Sequence, residues 1–315
     1  MSATMATTGA LPAGRETPFE GPASGAAVPD YSFEWFSGLP AYQAVNREQL
    51  RAFLSDLDLP QPWQGVDVAC GLGLMSELCH EVARKIGASI QRTVCIDLDR
   101  QALELAREKL ASYPARLIQS LGQRLPLRSG TASFLVVGNG IHNFGDADKA
   151  ALLKEAFRVL SHNARLFFNS SFYDGAVVEG TEHFWVEHIR RALRVIRREE
   201  PPPPQSSGEK PEAVHQLTPQ AYVDLASAAG FTDVRYEEVP VRFDQELIEA
   251  ISGYWMYAQG ALHFRWPAEV ACPAMRQAAR ELFSAPDWSA RFPGMEEDGE
   301  RFVLRRFLWV TARKP

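Results

Sequence analysis

The stretch Val66-Asp67-Val68-Ala69-Cys70-Gly71-Leu72-Gly73-Leu74-Met75-Ser76 constrains this chain more than any other. Its apolar opening (Val66, Val68, Ala69) reads as a buried parallel strand, its glycines as a tight turn, and Ser76-Glu77-Leu78-Cys79 as the opening of a helix. Lacking Cβ atoms, Gly71 and Gly73 permit positive φ and let a ligand lie against bare peptide groups. The first N–H groups of a helix favour an anionic group such as a carboxylate in that space. Asp67 stands at the strand end, either to fix the loop or to receive a ligand's ammonium. A glycine turn between strand and helix can also do no more than reverse the chain, so the loop alone does not decide the class.

A second stretch decides it. Thr93-Val94-Cys95-Ile96-Asp97-Leu98-Asp99 reads as another buried strand ending in acids, followed by a helix from Arg100 to Leu110. Asp97 follows the glycine loop by about two dozen residues, the position at which doubly wound folds carry a carboxylate for the ribose hydroxyls. A carboxylate suits a cis-diol because it offers two acceptors and no donor. The competing role, capping the following helix, fits Asp99 better than Asp97. Further strands are expected near Arg116–Ile118, over Ser133–Val137 and over Arg165–Ser170, with a helix over Ala150–Leu160 capped by Asp146 or Asp148.

Taken in order, the runs D-V-A-C-G-L-G, C-I-D-L-D, L-P-L (Leu125–Leu127), F-L-V-V-G-N-G-I-H-N (Phe134–Asn143) and L-K-E-A-F-R-V-L (Leu153–Leu160) resemble the class I S-adenosylmethionine-dependent methyltransferases, small-molecule branch. The resemblance is dense over 64–175 and returns weakly at 217–240 and 302–313. It implies an α/β fold: a Rossmann-like doubly wound sheet, mostly parallel with an antiparallel last strand, plus a helical lid and insertion. It also implies that Asp67, Ala69, Gly71 and Gly73 hold the methionyl end of S-adenosylmethionine and that Asp97, with Leu98 beside it, holds the ribose. Asn139 to His142 would then lie beside the sulfur. Two departures stand out. Ala69 replaces a usual glycine, and Leu121 stands where a common Asp meets the adenine amine, leaving that contact to Gly122 or Gln123.

Composition sets bounds. The chain has 315 residues, 46% hydrophobic and 23% charged, enough for one large α/β domain with an insertion. A net charge of −6 argues against a dedicated nucleic-acid binder. The four cysteines show no C-x-x-C spacing, and three lie in core-like runs, so reduced thiols in a cytoplasmic setting are expected. No apolar run is long enough to span a membrane, and the N-terminus lacks an export pattern. Nothing fixes an oligomeric state.

Along the chain, residues 1–30 read as a disordered tail, 31–63 as an N-terminal helical lid segment, 64–242 with 301–315 as the cofactor-binding core, and 243–300 as a substrate-side insertion. The lid segment opens with Tyr31, Phe33, Trp35, Phe36 and Tyr42, ahead of a helix near Asn46–Leu57. His162-Asn163-Ala164 occupies a tight turn that Asn can sustain in left-handed φ. A helix over Thr181–Glu199 carries an apolar stripe and a basic band (Arg190, Arg191, Arg194, Arg197, Arg198), read either as a solvated face or as a dock for an anion. Pro201–Pro204 begins a linker, and Leu217-Thr218-Pro219 starts a helix that Gly230 ends.

His142 is the candidate general base, because imidazole accepts a proton near neutral pH. Acceptor contacts are expected from the aromatic segments Tyr31–Tyr42, Tyr173–Trp185 and Tyr254–Trp266, with Tyr42, Tyr173, Trp185, Tyr254 and Trp255 the named candidates; the plainer alternative is an ordinary lid core. A metal site of the catechol-acting kind would need acids where Asn139 and Asn169 stand, so no metal is expected. The expected activity is methyl transfer to a small apolar or aromatic acceptor. Its rivals are a cofactor-fold binding or scaffold protein, and a nicotinamide oxidoreductase whose third fingerprint glycine would fall at Ser76.

Overall fold

Parallel strands buried on both faces need helices on both faces, and the alternation in this chain supplies them. The computed structural model describes residues 36–199 and 215–315; the expected tail, the aromatics Tyr31, Phe33 and Trp35, and the linker from Pro201 lie outside the described residues. Strands β1 (Trp63–Val68), β2 (Ile90–Asp97), β3 (Ala115–Gln119), β4 (Ala132–Val137), β5 (Leu160–Ser170) and β6 (Thr232–Phe243) join a late strand, Val303–Arg313, in one seven-stranded sheet. Two short strands precede that late strand, β7 (Glu296–Glu297) and β8 (Glu300–Arg301), so it is β9. The order is β3-β2-β1-β4-β5-β9-β6, with β9 antiparallel to both β5 and β6 and the β1 to β5 pairings parallel. The Rossmann-like sheet with an antiparallel last strand is therefore present as expected. The order reverses between β1 and β4, and the crevice over their carboxyl ends is where such sheets bind ligands.

One face is covered by α1 (Pro40–Ser55) and α2 (Leu74–Lys85), whose apolar sides pack on Phe134, Phe167 and Trp309. The other is covered by α4 (Asp146–Val159) and α6 (Pro219–Ala228), over Leu135, Leu166 and Val310. Between them in sequence, α3 (Arg100–Lys109) follows β2, and α5 (Glu182–Glu199) follows β5. The insertion folds as α7 (Gln245–Gly253), α8 (Trp255–Ala261), α9 (Ala268–Phe283) and α10 (Trp288–Arg291), ahead of the β7–β8 hairpin. Helices α5, α8 and α9 share a core of their own around Ile196, Leu262 and Met275.

Local chemistry explains most of these boundaries. Asp99 caps α3, accepting from the Gln101 and Ala102 amides, and Thr218 caps α6 by accepting from Ala221. Asn163 holds the expected left-handed turn at φ 61°. Three expectations need correction. The second helix begins at Leu74 rather than Ser76, because Gly73 at φ 81° already turns the chain into it. The helix after β4 is preceded by Gly145 and has no side-chain cap; Asp146 lies in its first turn, with its carboxylate taken by Lys149 and His215. The first helix starts at Pro40, where a proline at the first position wastes no donor, so it is longer than expected. In the basic band, Arg190, Arg197 and Arg198 are exposed, whereas Arg191 and Arg194 are held by Glu187.

Candidate active site

Between β1 and α2 the backbone takes left-handed φ at Ala69 (54°), Gly71 (49°) and Gly73 (81°). The two glycines serve different ends. A Cβ at Gly73 would come within 2.7 Å of the Leu110 side chain, so this glycine serves close packing. A Cβ at Gly71 would meet no atom within 4 Å, so the bare peptide there faces open space. Asp67 is wholly buried beneath the loop, and its Oδ2 accepts from the Ser76 amide (3.0 Å) and hydroxyl (2.7 Å), pinning the start of α2 to β1. Its Oδ1 has no partner among the described residues. Burial pushes the Asp67 carboxyl up to about 7, the Ser76 bonds opposing the rise.

Asp97 ends β2, half-buried, and reaches back to the loop. Its Oδ2 accepts from the Gly71 amide at 2.8 Å and its Oδ1 from the Asp99 amide at 2.9 Å. Each oxygen keeps a lone pair for a further donor. Burial raises its pKa. Beside it the Leu98 side chain is exposed, an apolar surface at the mouth of the crevice. After β3, Gly122 is buried with the Phe144 ring against it, and Gln123 is half-buried. These residues fit S-adenosylmethionine: open space over Gly71, a spare acceptor on Asp67 for an ammonium, and a carboxylate at the end of β2 with lone pairs left for a diol. Among the described residues no group of three or more His, Cys, Asp or Glu side chains is placed to hold a metal ion.

At the ends of β4 and β5, amides form a buried chain. Asn139, at φ 47°, accepts from the Ser171 amide (2.8 Å) and hydroxyl (3.1 Å), while its own amide donates to Asn169 Oδ1. Asn169 Nδ2 donates to Asn46 Oδ1 at 2.9 Å, and Asn46 Nδ2 donates to the Tyr42 carbonyl at 2.8 Å. The chain thus ties α1 to the carboxyl edge of the sheet. Asn46 lacked any signal as a site residue in sequence: it read as the polar start of a helix.

His142 lies in the turn after β4, buried, with its ring 4.7 Å from that of Phe172. Its Nδ1 is 3.1 Å from Ser170 Oγ, which also donates to the Phe172 carbonyl. With the hydroxyl proton so used, Nδ1–H is the donor and Nε2 carries a lone pair, which has no partner among the described residues. Burial, with Lys149 and Arg305 nearby, lowers the imidazole to about 3. Burial thus disfavours the charged form of this ring, while Nε2 keeps a lone pair.

Of the acceptor candidates, Trp185 and Tyr254 converge on Phe172: Tyr254 directly, at 6.1 Å between rings, and Trp185 through Arg305, which lies over both rings. Trp255 adjoins Tyr254 at 6.3 Å, and Tyr42 packs on Phe307 at 5.9 Å. Tyr173 lies apart from these, in the opposite core layer, donating to Glu238 at 2.8 Å. A groove of about 630 Å³ opens at the other end of β5, between Phe53, Arg165, Tyr236 and Trp309, and includes none of the loop residues. Arg305 and Phe172 are the residues that sequence reading missed. Arg305 was legible as a charge in step with Val303, Phe307 and Trp309 on one face of an alternating strand.

Residues 66–168 match the family model described as a methyltransferase domain. Curated relatives include the ubiquinone/menaquinone biosynthesis C-methyltransferase UbiE of Campylobacter jejuni. The protein of strain 81-176 is 35% identical over 100 residues, 32% of this chain and 41% of the relative. That of strain 81116 is 36% identical over 94 residues, 30% of this chain and 38% of the relative. The chain thus spans less than half the length of these relatives. Solved structures share the fold at low identity. A protein described as a methyltransferase from an antibiotic biosynthesis pathway of Anabaena variabilis gives a TM-score of 0.52 at 12% identity, over 83% of this chain and 96% of that one. Phosphoethanolamine N-methyltransferase 2 of Haemonchus contortus, with S-adenosyl-L-methionine, gives 0.50 at 12% over 90% and 56%. The [4+2]-cyclase SpnF gives 0.50 at 14% over 88% and 85%, so the fold by itself does not fix the reaction. With the matching stretch seated on this sheet, residues 66–168 form a methyltransferase domain of the class I S-adenosylmethionine-dependent kind.

Proposed function

We propose that this chain transfers a methyl group from S-adenosylmethionine to a small aromatic or apolar acceptor of natural-product or lipid-like kind. The observation that carries the reading is the open space over Gly71 next to Asp97, a carboxylate already bonded to the Gly71 amide. When bound, S-adenosylmethionine supplies a methyl carbon made electrophilic by its sulfonium. The protein's task is then to bind and orient, which can supply much of the acceleration. Asp67 Oδ1 takes the ammonium, the loop at Ala69, Gly71 and Gly73 takes the carboxylate, and Asp97 accepts from the ribose hydroxyls. Leu98 would offer an apolar surface to the adenine, and Gly122 and Gln123 would supply the contact to its amine. Asn139 borders the sulfur, and His142 offers Nε2 as a neutral hydrogen-bond acceptor rather than as a base.

The acceptor enters over the carboxyl ends of β4 and β5, beneath the residues of the lid segment from Phe36 and the 243–300 insertion. Trp185, Tyr254 and Trp255 line its approach, with Tyr42 behind them and Tyr173 supporting the loop after β5. The relatives named for ubiquinone and menaquinone C-methylation support a ring acceptor. The net charge of −6 supports a small molecule over a nucleic acid, and the buried, unpaired thiols of Cys70, Cys79 and Cys95 support a cytoplasmic setting. The test is S-adenosylhomocysteine release across phenols, hydroquinones, amines and RNA. Release with the ring compounds is expected; release with RNA alone would overturn the acceptor class.

A further inference from the structure

The side chain of Arg305 sits where an apolar one belongs. In β9, Val303, Phe307 and Trp309 are buried in the core on the α1 face, and Arg305 shares their register with 6% of its surface exposed. Burying a cation costs several kcal/mol unless a partner offsets it. Among the described residues no carboxylate forms an ion pair with Arg305, and the groups that favour its charge are the phenols of Tyr257 and Tyr173. Both of its recorded hydrogen bonds, from Nε at 3.1 Å and Nη2 at 2.9 Å, fall on one neutral atom, the Ser171 carbonyl. A guanidinium has five N–H donors, so most of the fork is unspent. Satisfying a carbonyl would need only a neutral amide; among the described residues the charge meets aromatic rings and no anion.

The surroundings indicate what would use it. Arg305 Cζ lies 5.2 Å from the Trp185 ring and 5.7 Å from the Phe172 ring. The indole N–H of Trp185 is buried and, among the described residues, has no acceptor. Tyr254 and Tyr257 stand at 6.1 and 6.3 Å from Phe172, completing an aromatic setting. The position is at the carboxyl edge: Ser171, which receives the Arg305 bonds, also donates to Asn139 at the end of β4. We propose that Arg305, with the Trp185 indole N–H, receives an anionic oxygen, carboxylate or phenolate, carried by an aromatic acceptor. This rests on the methyltransferase reading and narrows its substrate class. An acceptor held as its anion also needs no base.

The test uses the full chain with three probes: 4-nitrophenol, whose ionised form absorbs in the visible, 4-nitrobenzoate, and the neutral 4-nitroanisole. Wild-type protein should bind nitrophenolate in preference to nitrophenol, so that the bound probe ionises at lower pH than the free one. Nitrobenzoate should bind as well if carboxylates are accepted; binding of one anion and not the other selects the source. Arg305→Met should weaken the anions about ten- to a hundredfold, the range of a charge-assisted hydrogen bond, and leave nitroanisole unchanged, which reports an intact pocket. Arg305→Lys should recover part of the loss. If neither nitrophenolate nor nitrobenzoate is preferred over its neutral counterpart, or if Arg305→Met weakens nitroanisole as much as the anions, the assignment is overturned. S-adenosylhomocysteine is titrated in the same samples: its binding without anion preference overturns Arg305 alone, whereas failure of that titration overturns the methyltransferase reading and this inference with it.

Discussion

Gly71 concentrates the account in one residue. Its φ of 49° favours glycine, yet an added methyl would strike nothing in the protein. Gly71→Ala should therefore cost about 1–2 kcal/mol in stability, the price of a left-handed alanine, while filling the space proposed for the cofactor. We expect a folded variant by circular dichroism with S-adenosylhomocysteine affinity reduced at least about tenfold; equal affinity would mean the ligand lies elsewhere. His142 gives a second test. Since burial holds its imidazole at about 3, the pH profile of turnover should show no inflection near 6.5 that disappears in His142→Gln. An inflection abolished by that substitution would restore the ring as a base. The turn at both glycines and the place of Asp97 at the end of β2 were legible because strand, glycine turn and helix follow one another at a fixed spacing. Arg305 showed only as a charge on an apolar strand face and Asn46 as a polar helix start, because their contacts come from neighbours more than 120 residues away in sequence, at Ser171 and Asn169.

At the scale of elements, α1 is fastened to the sheet by polar atoms inside an apolar interface. Asn46 is buried, with Tyr42 and Asn169 as its partners. Asn46→Ala leaves the Asn169 amide unsatisfied, and we expect a loss of about 1–3 kcal/mol in denaturant unfolding. A change under about 0.5 kcal/mol, the level of an ordinary surface substitution, would show that the chain of amides contributes little. The strands of the core were readable because buried parallel strands are short apolar runs, and caps such as Asp99 and Thr218 carry their own chemistry. Boundaries were less so: α4 begins without a side-chain cap because Lys149 and His215 claim the Asp146 carboxylate, a competition decided in three dimensions. The insertion gave a composition rich in aromatics, but its division into four helices depends on packing against α5.

For the whole molecule, buried titratable groups set a pH dependence. His142 and His188 are held at about 3 and about 4 by burial, below the ordinary 6.5. The unfolded chain takes up protons that the folded one refuses, so this stability is present above 6.5 and is lost as pH falls toward 4. Asp67, raised to about 7, acts in the opposite sense: its contribution is present below its ordinary 3.8 and is lost as pH rises through 7. His80, held at about 4 by burial, adds to the two histidines and Asp97, raised by burial, adds to Asp67; the histidines outnumber the carboxylates, so stability is lost on acidification. Melting temperature should fall between pH 6.5 and 5, and His188→Gln should flatten the slope; a rise over that interval would contradict the assignment of buried neutral rings.

The central claim is that the crevice over β1 and β4 is built for S-adenosylmethionine. Isothermal titration of the full chain with S-adenosylhomocysteine and, separately, with NADH addresses it most directly. We expect roughly micromolar binding of the former, the scale of ordinary cofactor sites, with proton release near pH 7 as the ligand's ammonium draws Asp67 into its charged form, and no binding of the latter. NADH binding with no response to S-adenosylhomocysteine would contradict the account.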